Sequence, residues 1–371
     1  MKEFSLLLPP KILFGFGSLG RLGSVLKGEN VLVVTGKNSM KKSGALSWVL
    51  DIINKSKKKS FVFSGVEPEV SVETVDSCAS YAKQNNIDCI IGLGGGSTLD
   101  CAKAAAGIFK DDLSVAEYLD DKAKITKRGA YFIAIPTTAG TGSEATKNSV
   151  LTYTAKGIKT SLRGDSLIPD AVIADPQLTL TMPPAITAYS GMDALSHAVE
   201  SYFSVSANEF TKALSMRAIE MIFSSMLRAY KNGKSRQARH NMLLASVTAG
   251  MAFANAGLGA VHGIGHPVGA ALKMPHGLVN AVLMPYVLGF NAKKSRKAFA
   301  QLNKKLGFDI VKGIKALNKK MGIPAKLSGI DKKANDKTGL VMEKIVYTGS
   351  MAYNSVKMDD KKVLKILKEA V

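Results

Sequence analysis

The sequence predicts two domains of different character: a doubly wound α/β domain with a parallel sheet over residues 1–183, followed by an all-helical domain over 184–371. Three observations carry this. Short β-branched runs alternate with helical patterns through the first half, which is how strand, helix, strand units announce a parallel sheet with helices on both faces. After "PDAVIADPQLTLTMPP" those runs give way to long segments rich in Ala, Met and Leu with few breakers. The length of 371 residues exceeds the roughly 250–300 at which a single core stops growing.

In the first half, "NVLVVTG" (30–36), "KSFVFSG" (59–65), "DCIIGLGGG" (88–96) and "AYFIAIPTT" (130–138) read as buried parallel strands, each ending in Gly, Pro or Thr. Residues 42–54 and 71–86 between them suit helices. The Pro183-Pro184 pair marks the boundary, since proline ends extended structure and suits a first helical turn. Beyond it the apolar pattern predicts helices over 185–203, 208–231, 235–256, 277–290, 294–306, 308–321, 338–350 and 360–370.

Fifty Lys and Arg against 29 Asp and Glu give a formal charge of +21. Nucleic acid is one reading of such a balance, but "KSKKKS", "KKSRK", "LNKKLG" and "DKKAND" are scattered lysine runs without interleaved aromatics. A solvated lysine-rich surface that attracts anionic cofactors and substrates is the expectation, with no specific nucleic-acid partner. Apolar runs are interrupted well before the roughly 20 residues that span a bilayer, and "MKEFSLLLPPKILFGFG" lacks the form of a signal peptide. Cys78, Cys89 and Cys101 form no CxxC pair, which argues against a disulfide framework or zinc ribbon and for a reducing, cytoplasmic setting.

"IIGLGGGSTLDCAKAAAG" places Gly94, Gly95, Gly96 and Ser97, with Asp100 one turn on, between an apolar run and an Ala-rich helix. Glycines let the backbone approach a phosphate, and a helix N-terminus offers free N–H donors and a positive dipole end. The pattern is neither a P-loop nor GxGxxG, so a plain strand-to-helix turn stays open beside a pyrophosphate site. "IPTTAGTGSEAT" gives a second strand end crowded with Thr137, Thr138, Thr141 and Ser143. Two such loops at neighbouring strand ends form the crevice in which open α/β sheets bind ligands. The first strand ends in Gly36, Lys37, Asn38 and Ser39, with no carboxylate for an adenosine ribose, so a 2′-phosphate is tolerated and Lys37 can pair with it.

Three of the five histidines, His262, His266 and His276, lie in "VHGIGHPVGAALKMPHG". Metal ligand, proton shuttle and hydrogen-bonding group are all open to them. Asp193 and His197 stand four apart on a predicted helix, a spacing that suits one ion or an Asp–His hydrogen bond. With His262 and His276 they make three imidazoles and one carboxylate, a donor set for Fe²⁺ or Zn²⁺ without the thiolates of a structural zinc site.

The chain resembles the iron-containing (group III) alcohol dehydrogenases along essentially its whole length. The likeness runs through "PPKILFGFGSLGRLG", "GGGSTLDCAK", "PTTAGTGSEAT", "PDAVIADP", "GMDALSHAVESYFS" and "HGIGHPVGAALKMPHGLVNAVLMPY". It implies a Rossmann-like dinucleotide domain joined to a helical metal-binding domain, the architecture shared with dehydroquinate synthase. By the same resemblance Asp193, His197, His262 and His276 are the metal ligands, and His266 is the non-ligand histidine beside nicotinamide and substrate. A proton relay is the role implied for His266, and a histidine capping a backbone group before Pro267 is the alternative. Lys159 of "GIKTS" is implied to touch the dinucleotide. The activity implied is hydride transfer between a primary alcohol or small diol and NAD(P), by a homodimer.

Two departures matter. Members that prefer NAD often carry Asp where this chain has Gly36, which favours NADP or dual use. Many relatives read Asn-Pro-Arg where residues 354–357 are "NSVK". Glycerol and glycerol-1-phosphate dehydrogenases, maleylacetate reductase and dehydroquinate synthase share the architecture, but the full ligand set argues against the last two.

Overall fold

The β-branched runs of the first half assemble into one six-stranded sheet in this computed structural model, which describes residues 3–126 and 128–371. Its strands are β1 (Ile12–Phe14), β2 (Asn30–Gly36), β3 (Lys59–Val66), β4 (Cys89–Gly94), β5 (Tyr131–Pro136) and β8 (Ala171–Ala174). The order is β1-β8-β5-β4-β2-β3, and every pair is parallel.

Alternation along β2 shows why the sheet must be covered twice. Leu32 and Val34 join one core with Val75 and Cys78 of the helix Val72–Gln84 and Ala102 of the helix Gly96–Ile108. Val31 and Val33 join another with Val49 and Ile53 of the helix Ala45–Lys55. A strand buried on both faces reads as a continuous apolar run, which is what β2, β4 and β5 are.

The four predicted strands are all present, and the helices expected over 42–54 and 71–86 are Ala45–Lys55 and Val72–Gln84; four further strands were not predicted. The short strands β1 and β8 pair with each other, and an antiparallel hairpin, β6 (Asn148–Tyr153) and β7 (Ile158–Arg163), turns at Gly157 with φ +61°. Strand β4 stops at Gly94 rather than 96, because Gly96 already opens the next helix. These elements lie in a unit spanning Leu6–Met182.

The second unit holds Pro183–Val371 with the described residues up to Ser5. Its long helices are Pro184–Phe203, Glu209–Lys231, Arg236–Ala256, Ala260–Leu272 and His276–Lys294, followed by Arg296–Leu306, Ile310–Lys320 and Asp360–Ala370. Their ends follow local chemistry. Pro184 occupies the first turn of its helix, and Asn208 and Thr211 form a reciprocal capping box.

One predicted helix is shorter than expected, and one helix was not expected. The helix expected over 338–350 is a single turn and a half, Thr338–Glu343, with a 3₁₀ turn at Gly349–Tyr353. The histidine-rich stretch, left without an element in the sequence reading, is the helix Ala260–Leu272 and runs through Pro267. No single helix among the described residues is long and apolar enough to cross a membrane; Arg236–Ala256 and Ala260–Leu272 meet that test only together, bent by 104° at their break.

Candidate functional site

In the helical unit, the helix Pro184–Phe203 carries Asp193, His197 and Glu200, spaced i, i+4 and i+7 on one face. Its facing partners supply His262, one turn into Ala260–Leu272, and His276, the first residue of His276–Lys294. Close approach depends on Gly277, where a Cβ would stand 2.2 Å from the Tyr189 carbonyl oxygen. Any side chain there would push His276 away from Asp193.

Ligand atoms of Asp193, His262 and His276 lie within 4.8 Å of one another. Asp193 Oδ1 is 3.7 Å from His262 Nε2 and 3.6 Å from His276 Nε2. Donors of a tetrahedral site with bonds of about 2.1 Å stand about 3.4 Å apart, so these separations suit one small divalent ion. His197 lies outside this group of three. Its Nε2 is 4.0 Å from Asp193 Oδ2, and its ring stacks between Phe253 at 4.4 Å and His262 at 4.6 Å.

A residue that the sequence reading missed occupies the centre. Asn280 Nδ2 lies 2.9 Å from Asp193 Oδ1, 3.2 Å from His262 Nε2 and 3.0 Å from His276 Nε2. An amide NH₂ has two hydrogens for these three acceptors, and Asn280 Oδ1 is buried with no hydrogen-bond partner. Three acceptors converging on one weak donor fit a cation better than they fit an amide. Asn280 stands four residues after His276, one turn along the same face, and that spacing was its only sequence signal.

Glu200 was missed as well, although it continues the Asp193 and His197 face. Its Oε2 is 2.6 Å from His262 Nδ1, and its Oε1 accepts from the Val261 N–H at 2.6 Å. The electrostatics match this crowding. Burial pushes the Asp193 carboxyl up, but His197, His276 and His262 outweigh it and hold the carboxyl far below the usual carboxylate range. Burial pushes the His262 imidazole down, yet its hydrogen bonds and ion pairs to Asp193 and Glu200 raise it to about 9. His266 is half-buried, with its ring 4.9 Å from that of His276 and 6.1 Å from that of His262.

Most of the predicted dinucleotide residues gather at or just beyond the C-terminal ends of three strands of the α/β unit, whereas Lys159 lies near the start of β7. Gly94 ends β4, Gly95 and Gly96 turn into the helix, and Thr137, Thr138 and Thr141 follow the neighbouring β5. A Cβ at Gly96 would meet Thr141 Cγ2 at 2.6 Å, so only glycine lets the two loops touch. Gly36 ends β2, with Lys37, Asn38 and Ser39 exposed beyond it.

Ser97, Asp100, Ser143 and Lys159, all predicted contacts, are engaged inside the protein. Asp100 accepts from Ser143 Oγ at 2.6 Å and from the Val150 N–H at 3.1 Å. Ser97 Oγ accepts from the Glu69 N–H, and Lys159 is paired with Glu69 at 2.5 Å. Beneath the loops lies Lys103, fully buried, which the sequence reading passed over. Its Nζ donates to Ser143 O and Oγ, Thr146 Oγ1 and Asn148 O, at 2.6–3.1 Å. Burial pushes the Lys103 ammonium down to about 8 and the neighbouring Glu144 carboxyl up to about 7.

Comparison with known proteins agrees with this layout in both units. The family described as iron-containing alcohol dehydrogenase matches residues 9–176, and the C-terminal family of Fe-containing alcohol dehydrogenases matches 187–371. An NADPH-dependent butanol dehydrogenase of Clostridium saccharobutylicum is 36% identical over 97% of this chain and 96% of its own length. A 1,3-propanediol dehydrogenase of Klebsiella pneumoniae is 33% identical over 100% of this chain and 99% of its own. The solved structure of an alcohol dehydrogenase from Oenococcus oeni superposes with a TM-score of 0.93 at 32% identity, covering 100% of both chains. Matched end to end by sequence and by fold, the chain belongs to the iron-containing alcohol dehydrogenase family.

Proposed function

We propose that this metal-dependent alcohol dehydrogenase interconverts small primary alcohols or diols and their aldehydes with NADP(H) preferred over NAD(H), and that Asp193, His197, His262 and His276 hold its ion. The observation that carries the metal assignment is the convergence of Asp193 Oδ1, His262 Nε2 and His276 Nε2 on the overmatched amide of Asn280. Imidazole and carboxylate donors suit Fe²⁺ first and Zn²⁺ second in a family named for iron. His197 completes the set by turning from its stacking position beside Asp193.

When bound, the ion would supply Lewis acidity at the substrate oxygen, and the nicotinamide would be the hydride carrier. The chain's own part is to orient and to move a proton. Asp193, ionised among imidazoles, supplies negative charge in a buried place where a divalent cation would otherwise be costly. His266, half-buried beside the His276 ring, relays the proton between the substrate oxygen and solvent.

On the α/β side, Gly94, Gly95, Gly96 and Ser97 receive the pyrophosphate at the N-terminus of the helix Gly96–Ile108. Thr137, Thr138 and Thr141 line the neighbouring strand end, and Asp100 and Ser143 brace both loops from below. Lys159 exchanges the half-exposed Glu69 carboxylate for a phosphate. Gly36, Lys37, Asn38 and Ser39 receive the adenosine ribose, and Lys37 its 2′-phosphate. The butanol dehydrogenase relative is NADPH-dependent by name, which supports this preference. Buried, unbridged Cys78, Cys89 and Cys101 support a cytoplasmic setting, and a homodimer is the expected assembly.

The test replaces His262 and His276 singly by Ala. Elemental analysis should show the ion lost, and the absorbance of reduced nicotinamide should show no turnover of short aldehydes, while the circular dichroism spectrum stays that of the parent. Parent metal content and activity in both variants would sink the assignment. Equal rates with NADH and NADPH would remove the cofactor preference alone.

A further inference from the structure

Glu200 is a fully buried carboxylate beside the proposed ligands, and nothing in the reaction assigns it a task. Its side chain and that of His262 are each 2% exposed. A buried charge is costly unless both oxygens are paired, and here both are. Oε1 takes the Val261 N–H, an otherwise unpaired donor in the first turn of the helix Ala260–Leu272, and Oε2 faces His262 Nδ1 at 2.6 Å. The neighbouring Ala260 N–H goes to Asn354 Oδ1 at 3.2 Å. Gly259 permits this arrangement, since a Cβ there would stand 2.7 Å from Glu200 Oε1 and 3.0 Å from Asn354 Oδ1.

An ionised carboxylate only accepts hydrogen bonds, so when His262 gives up a proton to ligate, the one it keeps sits on Nδ1. Nε2, which points at Asp193 and Asn280, is then left with its lone pair outward. We propose that Glu200 is a positioning residue of the metal centre: it fixes His262 in the tautomer whose Nε2 can ligate, and it anchors the helix turn that aims the ring. This rests on the reading of His262 as a ligand. A helix cap alone would need no charge, because an amide oxygen can accept from Val261 equally well.

That difference defines the experiment. In Glu200→Gln, an amide whose oxygen caps Val261 turns its NH₂ toward Nδ1 and drives the ring proton onto Nε2. Turned the other way, it sets donor against donor at Val261. Zn²⁺ and Fe²⁺ affinity of the intact chain, measured by chelator competition, should fall about 10- to 100-fold in Glu200→Gln, the usual cost of losing such a partner. The metal-free variant should still unfold cooperatively, and the Co²⁺-substituted protein should show an altered visible spectrum. Asn354→Ala, which removes the adjacent cap without touching His262, should lower thermal stability and leave metal affinity within about twofold, as expected when the ligands and their partners are intact.

Parent-like metal affinity in Glu200→Gln would overturn the proposal. If that variant does not fold, Gly259→Ala decides, since it displaces the carboxylate while keeping its charge. An affinity loss there supports the positioning role, and an unchanged affinity overturns it. A parent chain that binds neither ion would instead overturn the metal reading on which this one depends.

Discussion

Asp193 and Asp100 are both buried carboxylates, one in each unit, and they keep opposite company. Around Asp100 the carboxylate and the nearby ammonium are answered from within. Its two oxygens accept from Ser143 Oγ and the Val150 N–H, and the Lys103 ammonium beside it spends its hydrogens on Ser143, Thr146 and Asn148. Around Asp193, acceptors from three helices share the hydrogens of one amide. A buried polar cluster that satisfies itself braces a fold, and one left short of donors is shaped for something else. Charge and burial are alike in the two places; what separates them is the convergence of three possible ligand atoms, within 4.8 Å of one another, at Asp193.

Asp193→Asn should break the second cluster with the largest effect of all. It keeps the volume and removes the anionic donor, so kcat/KM for aldehyde reduction should fall at least about a thousandfold, or about 4 kcal/mol of transition-state stabilisation. Metal content should fall with it. Retained metal and rate would show that the cluster does not need its carboxylate.

Lys103→Met should break the first cluster and produce the mirror-image result. Removing one partner of a buried, hydrogen-bonded charge set costs about 3–5 kcal/mol. Urea unfolding should register that loss, with metal bound per folded chain unchanged. A variant as stable as the parent would mean that Lys103 does not brace the loops.

Glu144 is the exception inside the satisfied cluster, since its Oε1 is buried without a hydrogen-bond partner and burial raises its carboxyl to about 7. A carboxyl raised above its unfolded value stabilises the fold fully below about pH 4.5. That contribution is lost as pH rises through about 7. Glu144→Gln has no such proton to lose. Its stability relative to the parent should therefore rise between pH 5 and pH 7.5, by on the order of 2–3 kcal/mol. Parallel urea midpoints across that range would show that Glu144 titrates as an ordinary surface acid.

What the sequence made legible follows the same division. Strands β2 to β5 and most long helices could be read because burial on both faces, or on one stripe, writes itself as apolar periodicity. Strands β1 and β8 are three and four residues long, too short for any period. The helix Ala260–Leu272 was hidden by Gly263, Gly265, Gly269 and Pro267, all poor helix formers, and it exists because its apolar side chains are buried against neighbours. Asp193, His197, His262 and His276 were legible from the i, i+4 spacing, the donor chemistry and the family resemblance, and geometry brings three of them to one point. Glu200, Asn280 and Lys103 were overlooked because Glu, Asn and Lys are ordinary surface residues until burial shows them spent on a neighbour.

The end of β2 tests the comparison where neither kind of cluster exists. Gly36 is half-buried and Lys37, Asn38 and Ser39 are exposed, so a new charge there would be neither locked nor starved of partners. The backbone at Gly36 is not in the left-handed region, and a Cβ would meet Val66 O at 3.5 Å and Thr98 Oγ1 at 3.9 Å, ordinary contacts. Gly36→Asp should therefore fold as the parent does. Its carboxylate would repel a 2′-phosphate and accept from a ribose hydroxyl, shifting the ratio of kcat/KM for NADPH over NADH toward NADH. Because water screens a charge at this position, the shift should be modest, about tenfold or ~1.4 kcal/mol, the smallest of the four effects. An unchanged ratio would move cofactor discrimination away from β2, and Lys37→Ala would then be expected to leave the NADPH rate untouched as well.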